Sequence, residues 1–351
     1  MKIAMVAGGS GGHIYPALSL AEELKNKGHQ ISFIGSNDRM EKDVIPEKGF
    51  DYIGFDIYTT RGGLFQKIKS GISLLRGYDR AKRVLKGYDL VIGFGNYISV
   101  PIILAAHKLG IKTIIHEQNS YVGRANRILD EKVDLIISSY EEDLKQFKNP
   151  NNVLLGNPQS SKALKAKKNP QVISDLGLDP NKKTIVIFMG SLGSSTVNKV
   201  LLEYFKLTKG DYQIIYATGK NNYDEAINSN DKDYIKIYQQ IDGVNVMKNC
   251  DLLISRAGAT TLAEVAAIGI PSILIPSPFV PNNHQYHNAM SFVNKNAALI
   301  IEEKDLKANI LNDLVDSIIN DGDKLKMISE NVKKLANENV IEDMIERIEN
   351  I

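Results

Sequence analysis

The chain has 351 residues, which is enough for two domains of roughly 150 residues each. Hydrophobic residues make up 43% and charged residues 24%, an ordinary globular composition that excludes a disordered or collagen-like protein. The net charge of +2 gives no overall attraction to nucleic acid, so we expect no nucleic-acid partner. The single cysteine, Cys250, excludes a disulfide framework and a cysteine-based zinc site.

The apolar runs are short. The first, at 2–7, is too short for the core of a signal peptide. The longest, at 97–106, is far below the roughly 20 residues that a membrane span needs. We therefore expect a protein without a signal peptide or a membrane span, in which any membrane contact comes from a local surface patch.

Apolar runs alternate with helix-length amphipathic stretches along most of the chain. Several runs are continuously apolar, which is typical of strands buried on both faces of a parallel sheet. This alternation predicts an α/β fold with parallel sheets. The predicted strands are 2–7, 30–35, 90–93, 113–116, 135–138, 184–189, 213–217, 252–255 and 272–276.

The segment GGSGGH at 8–13 follows the first predicted strand and opens a helix, with Pro16 placed near the first turn. Its glycines let the backbone approach a ligand closely, although a tight turn without a ligand stays open. The dinucleotide fingerprint would need glycine where Ile14 stands, and a P-loop would need a lysine, so both are excluded. At the helix N-terminus the helix dipole favours the neutral form of the His13 imidazole, which makes His13 a candidate general base. A purely structural role is the alternative.

A basic amphipathic segment lies at 61–86, where Asp79 is the only acidic residue. Its apolar residues Leu64, Phe65, Ile68, Ile72 and Leu75 recur at near-helical spacing. This pattern suits an anionic membrane surface, and equally a helix whose apolar stripe packs on its own sheet. The basic residues are Arg61, Lys67, Lys69, Arg76, Arg80, Lys82, Arg83 and Lys86.

The polar run HEQN at 116–119 closes the strand predicted at 113–116. Strand carboxyl ends of a parallel sheet point into a ligand crevice, where polar side chains have a use. The H-E-x-x-H zinc pattern fails because Asn119 and Ser120 stand where it would need to continue. We expect no metal here, and we interpret the two Asp-x-Asp patterns at 231–233 and 321–323 as surface charge.

Gly156-Asn157-Pro158 begins an expected interdomain linker, and the lysine-rich stretch 162–183 breaks the strand–helix rhythm. A second α/β unit opens with the strand at 184–189, followed by a second glycine loop at 190–194. Residues 256–261 follow the strand predicted at 252–255, just as the glycine loops follow theirs, and they open a further helix that contains Glu264. A carboxylate there can bind vicinal hydroxyls, or it can simply be stabilised by the helix dipole. The tail from Leu306 is predicted to be helical and solvated.

In order and at similar spacing, these motifs resemble the MurG family of N-acetylglucosaminyltransferases. The resemblance covers nearly the whole chain, and the ordered set is specific although each motif alone is weak. The motifs are GGSGGH, GNYISVP (95–101), HEQN, GNP (156–158), MGSLGS (189–194), SRAGATTLAE (255–264) and HQYHNA (284–289).

The resemblance implies a GT-B fold, with two Rossmann-like, doubly wound parallel-sheet domains facing across a cleft. The N-terminal acceptor and membrane-facing domain would span 1–157, and a C-terminal helix at about 335–351 would pack back on it. The UDP-GlcNAc-binding domain would span 158–334.

The resemblance also implies an inverting, metal-independent transferase without a cofactor. It would move GlcNAc from UDP-GlcNAc to the C4 hydroxyl of MurNAc in lipid I (undecaprenyl-diphospho-MurNAc-pentapeptide), making lipid II for peptidoglycan. The enzyme would be peripheral, on the cytoplasmic face of the cell membrane, and bound through segment 61–86. The alternatives are another UDP-sugar-dependent GT-B enzyme (a glycolipid glucosyltransferase or a UDP-GlcNAc 2-epimerase) and a non-catalytic membrane-docking module.

By the same resemblance, His13 is the catalytic base candidate, and a set of residues is assigned to substrate binding. Ser10, Gly11 and Gly12 would serve the acceptor and diphosphate side, Ser191 the diphosphate and Glu264 the ribose. The remaining assignments are Asn119 and Gln285 for the GlcNAc, Ile241 near the uracil, backbone contacts from Ala259, Thr260 and Thr261, and Tyr97, Glu117 and Asn198 as further substrate contacts.

Two positions depart from the family pattern. Ser160 stands two residues after GNP, where the family commonly has arginine, so a nucleotide or diphosphate contact is in doubt. His284-Gln285 replaces the Gln-Gln pair of some members, so only Gln285 carries over.

Overall fold

The computed structural model describes residues 1–58, 63–190 and 193–351. The sequence assignments of Arg61 to the basic segment and of Ser191 to the diphosphate lie outside the described residues, as do the side chains of Leu64, Phe65 and Lys67 in that segment. Two compact units divide the chain: unit 1 is Met1–Ser161 with Asn339–Ile351, and unit 2 is Lys162–Glu338.

Strands and helices alternate in both units, as the sequence pattern predicts. The strands are β1 Lys2–Val6, β2 Gln30–Ser36, β3 Asp51–Phe55, β4 Leu90–Gly93, β5 Lys112–Glu117, β6 Leu135–Ser138, β7 Asn152–Leu154, β8 Thr184–Phe188, β9 Gln213–Ala217, β10 Ile235–Tyr238, β11 Leu252–Ser255, β12 Ser272–Leu274 and β13 Leu299–Ile300. The α-helices are α1 Gly11–Asn26, α2 Glu41–Glu47, α3 Leu64–Val84, α4 Asn96–Lys108, α5 Arg124–Leu129, α6 Glu141–Leu144, α7 Ser160–Lys165, α8 Gln171–Asp175, α9 Ser195–Leu207, α10 Tyr223–Asn228, α11 Gly243–Lys248, α12 Ala259–Ile268, α13 His284–Val293, α14 Ala308–Ile319, α15 Gly322–Lys333 and α16 Val340–Glu349. Short 3-10 turns lie at Asp130–Lys132, Pro281–Asn283 and Glu303–Asp305.

Each unit is a doubly wound parallel sheet. Unit 1 has seven strands in the order β3-β2-β1-β4-β5-β6-β7, and unit 2 has six in the order β10-β9-β8-β11-β12-β13. Every strand pair is parallel, with register such as Ile3 opposite Ile31 and Leu90. The strand order reverses between β1 and β4 in unit 1 and between β8 and β11 in unit 2. Ligand crevices of such sheets form at these switch points.

The sheet of unit 1 is covered on both faces, which explains its continuously apolar strands. Along β1, Ile3 and Met5 enter one buried cluster with α1, while Ala4 and Val6 enter another with α3 and α4. Unit 1 therefore has two apolar layers of core, one on each side of the sheet.

Four strands lie outside the sequence prediction: β3, β7, β10 and β13. All four are edge strands of their sheets. The burial pattern of β3 contains one fully buried residue, Phe55, whereas all four residues of β4 are buried. An edge strand has fewer covered positions, so its sequence lacks the continuous apolar run that marks a central strand.

The division between the units falls after Ser161, four residues beyond the predicted boundary at 157. Residues 159–161 are buried in unit 1, where Ser19 Oγ donates a 3.0 Å hydrogen bond to Gln159. Ser160 donates its hydroxyl to the Asn157 carbonyl at 2.8 Å. In this chain the serine at the family's arginine position is therefore buried and bonded to its own turn.

The expectation of a solvated tail is wrong for the last helix. Val340, Ile341, Met344, Ile345 and Ile348 of α16 are buried in the unit 1 core, in a cluster that includes residues of α1. A spacing of three and four residues places these side chains on one face, and the charged residues between them face outward. Among the described helices, none combines the length and hydrophobicity that a membrane crossing requires.

Candidate active site

Three strand ends of unit 1 meet at its switch point. The first glycine loop (residues 8–13) follows β1, Phe94 and Gly95 follow β4, and Gln118 and Asn119 follow β5. The sequence prediction that the polar strand ends come together at a crevice is consistent with this arrangement, because the carboxyl ends of parallel strands lie at one edge of the sheet.

Two side chains from distant parts of the sequence hold the first glycine loop. The Glu41 carboxylate accepts hydrogen bonds from Gly9 N–H at 3.0 Å and from Ser36 N–H at 3.1 Å. Asn96 donates its amide to the Gly8 carbonyl at 2.5 Å. Gly9 has a φ of +84°, and a Cβ there would lie 2.1 Å from the Asn96 amide nitrogen, so both conformation and space require glycine.

The helix α1 begins at Gly11 and uses Ser10 as its N-cap residue, with extended backbone and without a side-chain capping bond. Pro16 is therefore the sixth helical residue, and the expectation that it lies near the first turn is wrong. It is buried, and it has no N–H to donate to the carbonyl of Gly12 one turn earlier. Ser10 and Gly12 are exposed and Gly11 is half-buried, so the loop surface is open to solvent.

His13 lies at the end of a chain of hydrogen bonds. Its Nδ1 is 3.2 Å from Gln118 Oε1, and Gln118 Nε2 is 3.1 Å from both the Phe94 carbonyl and His116 Nδ1. His116 Nε2 donates to the Gly156 carbonyl at 3.0 Å. Gln118 and His116 are 1% exposed, whereas His13 is half-buried. Burial lowers the pKa of His116 to about 4, so this ring is neutral at pH 7.

Glu117, assigned to substrate from the sequence, is buried and engaged by its own loop. Its carboxylate accepts hydrogen bonds from Asn119 N–H at 3.0 Å, Gly123 N–H at 2.9 Å and Asn126 Nδ2 at 2.9 Å. These bonds hold the loop that presents half-buried Asn119. The structure thus makes Glu117 a loop anchor, and direct contact with a substrate does not fit its burial.

Tyr97 is half-buried in the first turn of α4. Burial, with the negative charge of Asp38 nearby, raises the pKa of its hydroxyl. The hydroxyl is therefore protonated at neutral pH and can donate a hydrogen bond.

The second glycine loop follows β8 at the switch point of unit 2. Gly190 and Gly193 have φ of +87° and +76°. A Cβ on Gly193 would lie 2.2 Å from the Thr218 carbonyl oxygen, so Gly193 packs directly against the residue that follows β9. The sequence prediction of a glycine-dependent turn here is confirmed by these two conformations.

Arg256 ties three segments of unit 2 together. Its guanidinium donates to Ser194 Oγ at 2.7 Å, to the Ile275 carbonyl at 3.0 Å and to Glu303 at 2.6 Å. The side chains of the Arg256–Glu303 ion pair are 12% and 7% exposed. This buried pair holds Ser194 against the ends of β11 and β12.

Helix α12 follows β11, the strand next to β8 in the sheet. Its N-terminus therefore lies at the same switch point as the second glycine loop. Gly258 is the N-cap residue, and Ala259, Thr260 and Thr261 form the first turn. A first helical turn directs backbone N–H groups outward and favours anions. In the described part of the chain the Thr260 hydroxyl is buried without a hydrogen-bond partner. Glu264 follows on the same helix and is half-buried.

The other substrate contacts predicted in unit 2 are two half-buried residues and one interior residue. Ile241 is half-buried just before α11, and Gln285 accepts a 2.9 Å hydrogen bond from Ser277 N–H. Asn198 is fully buried, with its amide bonded to Glu225 at 2.7 Å and to the Tyr216 hydroxyl at 2.9 Å. The assignment of Asn198 to substrate binding is therefore inconsistent with its position, because both amide atoms are used inside unit 2.

Sequence reasoning missed Glu41, Asn96, Gln118 and Arg256 as organising residues. Three of them stood inside quoted motifs, where the signal was a polar residue within three positions of the end of a strand. Glu41 stood in an ordinary polar segment, and its contact with Gly9 exists only in the folded chain. Among the residues described, no cluster of three or more His, Cys, Asp or Glu side chains is arranged to hold a metal.

Both units match family models. Residues 3–138 match the glycosyltransferase family 28 N-terminal domain, and residues 184–347 match the glycosyltransferase family 28 C-terminal domain. The first range runs from β1 to β6 of the unit 1 sheet, and the second contains all six strands of the unit 2 sheet.

Curated relatives align along nearly the whole chain. A Halothermothrix orenii protein is 37% identical over 96% of this chain and 95% of its own length, and a Bacillus subtilis protein is 35% identical over 96% and 95%. Both carry the name UDP-N-acetylglucosamine--N-acetylmuramyl-(pentapeptide) pyrophosphoryl-undecaprenol N-acetylglucosamine transferase. The crystal structure of Acinetobacter baumannii MurG superposes with a TM-score of 0.84 at 25% identity, over 100% of this chain and 99% of that one.

The chain belongs to the MurG family of glycosyltransferases. Membership in the MurG family confirms the resemblance on which the sequence assignments depend, and with it the α/β fold of two Rossmann-like units. A solved UDP-N-acetylglucosamine 2-epimerase superposes with a TM-score of 0.67 at 15% identity, over 99% of this chain and 95% of that one. At that identity the likeness concerns the fold alone, which the MurG family shares with enzymes of other activity.

Proposed function

We propose that this chain transfers GlcNAc from UDP-GlcNAc to the C4 hydroxyl of MurNAc in lipid I, with inversion, and so makes lipid II for peptidoglycan. The observation that carries the proposal is the placement of His13. A half-buried imidazole is held by Gln118 at the N-terminus of α1, next to an anchored glycine loop at a sheet switch point. In a MurG-family chain this is the arrangement that an acceptor hydroxyl needs.

On the acceptor side, His13 takes the proton of the C4 hydroxyl as its oxygen attacks the anomeric carbon. A neutral imidazole suits this role near pH 7, and a positioned general base contributes roughly 10²- to 10⁴-fold in rate. The exposed surface of Ser10, Gly11 and Gly12 leaves room for the acceptor diphosphate beside it. Asn119, presented by the loop that Glu117 anchors, contributes a polar contact to the transferred sugar.

On the donor side, the first turn of α12 and the second glycine loop receive the UDP diphosphate. Backbone N–H groups and the positive end of a helix dipole stabilise the negative charge that grows as UDP leaves. The buried Thr260 hydroxyl is a donor that a phosphate oxygen would satisfy. Glu264 binds the ribose hydroxyls, Ile241 lies toward the base, and Gln285 directs its amide nitrogen to the sugar.

This scheme assigns the charge compensation to the protein, and we propose that the reaction requires no divalent metal and no cofactor. The support is the chemistry of the donors. Amides and a helix terminus supply positive potential at the leaving group, which is the role that a metal ion has in metal-dependent transferases.

We also propose that the outer face of α3, defined by Ile68, Ile72 and Leu75, contacts the cytoplasmic surface of the cell membrane. These side chains are 53%, 46% and 69% exposed, while Ser70 and Ser73 of the same helix are buried. The exposure of these three side chains supports a contact with lipid over packing on the sheet. Lys69, Arg76 and Arg83 are exposed on the same helix and would attract anionic lipid.

The experiment that tests the function measures UDP release from UDP-GlcNAc with and without a lipid I analogue, in excess chelator. Release that depends on the analogue and persists with chelator is the expected result. Release without any acceptor would favour a 2-epimerase-like or hydrolytic activity, and no release under any condition would favour a docking module. Loss of release only with chelator would contradict metal independence.

A further inference from the structure

A continuous path of hydrogen bonds runs from the turn after β7 to the candidate base. It passes from the Gly156 carbonyl to His116, then to Gln118, and ends at His13, with distances of 3.0, 3.1 and 3.2 Å. Gln118 and His116 are almost completely buried, so water does not compete for these bonds. Each bond has one donor and one acceptor. The position of the proton at one end of the path therefore fixes the position of the proton at the other end.

The orientation of the Gln118 amide is fixed by backbone carbonyls. Its nitrogen lies 3.1 Å from the Phe94 carbonyl oxygen and 3.3 Å from the His116 carbonyl oxygen. A carbonyl oxygen only accepts hydrogen bonds, so the amide end that faces both must be the NH2 group. The reversed amide would bring oxygen against two oxygens inside the protein. The acceptor end of Gln118 consequently faces His13.

The proton on His116 is fixed in the same way. Its Nε2 faces the Gly156 carbonyl and must carry the proton, because that oxygen can only accept. Its Nδ1 faces the NH2 group of Gln118 and must supply a lone pair. A ring with one proton is neutral, in agreement with the low pKa that burial gives His116.

We propose that Gln118, supported by neutral His116, is a positioning residue that holds His13 in the tautomer with the proton on Nδ1 and so makes Nε2 the basic nitrogen. The proposal rests on the proposed function, in which His13 is the base. The Gln118 oxygen can only accept, so the Nδ1 that faces it must donate. Gly95 borders this contact: its φ is +79°, and a Cβ there would lie 3.4 Å from His13 Nδ1, an ordinary packing distance.

The proton and electron balance of the step follows from this tautomer. The Nε2 lone pair removes the acceptor proton while the acceptor oxygen bonds to the anomeric carbon. The bond from that carbon to the diphosphate breaks, and its electron pair leaves with UDP. His13 becomes an imidazolium with protons on both nitrogens, and its bond to Gln118 is unchanged throughout. Gln118 orients the ring and, being neutral, adds no charge.

The direct test measures ring-nitrogen chemical shifts in protein labelled with 15N-histidine, at a pH where His13 is neutral. The chain has six histidines, and variants His13→Asn and His116→Asn assign the two signals of interest. We expect wild-type His13 to carry its proton on Nδ1 and His116 on Nε2. His13 protonated on Nε2, or an even mixture of its tautomers, would overturn the proposal without any Gln118 variant.

The kinetic test is a double-mutant cycle between Gln118→Leu and His13→Ala. We expect Gln118→Leu to lower kcat by about 10- to 100-fold in the wild type and to have little further effect in the His13→Ala protein, because coupled residues are non-additive. An equal loss in both backgrounds would mean a general structural role and would reject the proposal. Gln213→Leu is the control, because Gln213 is a glutamine of unit 2 that is buried to a similar degree and bonds to Asp179 and Thr184.

The two proposals fail in different ways. Full turnover with His13 in the other tautomer removes the positioning role and leaves the transferase intact. A fixed Nδ1–H tautomer in a protein that releases no UDP with the lipid I analogue keeps the hydrogen-bond path and removes the transferase. Undiminished turnover of His13→Ala rejects both the base and the role of Gln118 in catalysis.

Discussion

The carboxylate of Glu41 accepts a 3.0 Å hydrogen bond from the backbone N–H of Gly9, in the loop that precedes α1. The same carboxylate accepts the Ser36 N–H and hydroxyl, and Glu41 is 0% exposed. We expect Glu41→Ala to lower the free energy of unfolding by roughly 1–3 kcal/mol for the buried donors it strands. The displaced glycine loop should also lower kcat/KM for the lipid I analogue by about tenfold or more, the scale of a small misplacement at a catalytic site.

Urea unfolding and UDP release measure the two effects of Glu41→Ala. The control is Asp43→Ala on the same helix, which is exposed and should change stability by no more than about 0.5 kcal/mol. Normal turnover of Glu41→Ala would show that the loop keeps its shape without this anchor.

Gly95 has a φ of +79° and a ψ of −164°, a backbone conformation that is essentially restricted to glycine. Gly95→Ala should therefore cost of order 1–3 kcal/mol in stability. Relief of this strain would shift the backbone beside His13 and Gln118, so turnover should fall as well, measured as UDP release at saturating donor.

Gly110→Ala is the matched control for Gly95→Ala. Gly110 also has a positive φ, of +70°, but a Cβ there meets nothing within 4 Å. It should lose stability and keep its turnover. Equal turnover in the two variants would indicate that Gly95 is only a backbone requirement.

Arg256→Met should raise KM for UDP-GlcNAc, because the guanidinium no longer links Ser194, at the end of the second glycine loop, to the Ile275 carbonyl after β12. It also leaves the buried Glu303 carboxylate unpaired, at a cost of roughly 3–5 kcal/mol. In the double variant Arg256→Met/Glu303→Leu the stability should largely return while KM stays high. Recovery of both stability and KM in the double variant would mean that Arg256 affects donor binding only through stability.

The pKa of His116 is lowered from 6.5 to about 4, chiefly by burial. Below pH 6.5 the unfolded chain binds a proton at this ring that the folded chain does not. The free energy of unfolding should therefore decrease as pH falls from about 6.5 to about 4, by roughly 3 kcal/mol from this group. In urea titrations at pH 7 and 4.5, His116→Gln should lose less stability than the wild type; an identical loss would contradict the burial of a neutral ring.

The outer face of α3 predicts lipid-dependent binding. Ile72→Asn with Leu75→Asn should weaken binding to anionic vesicles by about tenfold or more, since burying each apolar side chain is worth roughly 1.5–3 kcal/mol. Added salt should weaken wild-type binding, because exposed charges are screened. Met327→Asn changes a 50% exposed apolar residue of unit 2 and should bind as the wild type does. Equal binding of all three proteins in a sedimentation assay would reject the face.

Central strands could be predicted from the sequence and edge strands could not. The strands at 90–93, 135–138, 213–217 and 252–255 agree with the structure at both ends. They are covered on both sides and therefore read as unbroken apolar runs. The missed edge strand β3 reads Asp-Tyr-Ile-Gly-Phe, in which partial exposure removes the pattern.

The candidate site divides in the same manner. The glycine loops and HEQN were predictable, because a polar or glycine-rich segment directly after a buried strand marks a crevice. The interior position of Asn198 and the loop-anchoring role of Glu117 were not, because a sequence does not state which polar side chains bond to one another. The solvated tail was wrong for a different reason: the prediction used the polar composition of the tail and missed the three- and four-residue spacing of the apolar residues of α16.

The sequence by itself determined the α/β class, the central strands, the two glycine loops and, through its ordered motifs, the family. Those features depend on local periodicity, backbone freedom and order along the chain. Only the tertiary structure decided that Glu41 anchors Gly9, that Arg256 joins Ser194 to Glu303, and that Gln118 faces His13. The physical reason is that each of these bonds joins residues far apart in sequence, so its geometry exists only once the parallel sheets have formed.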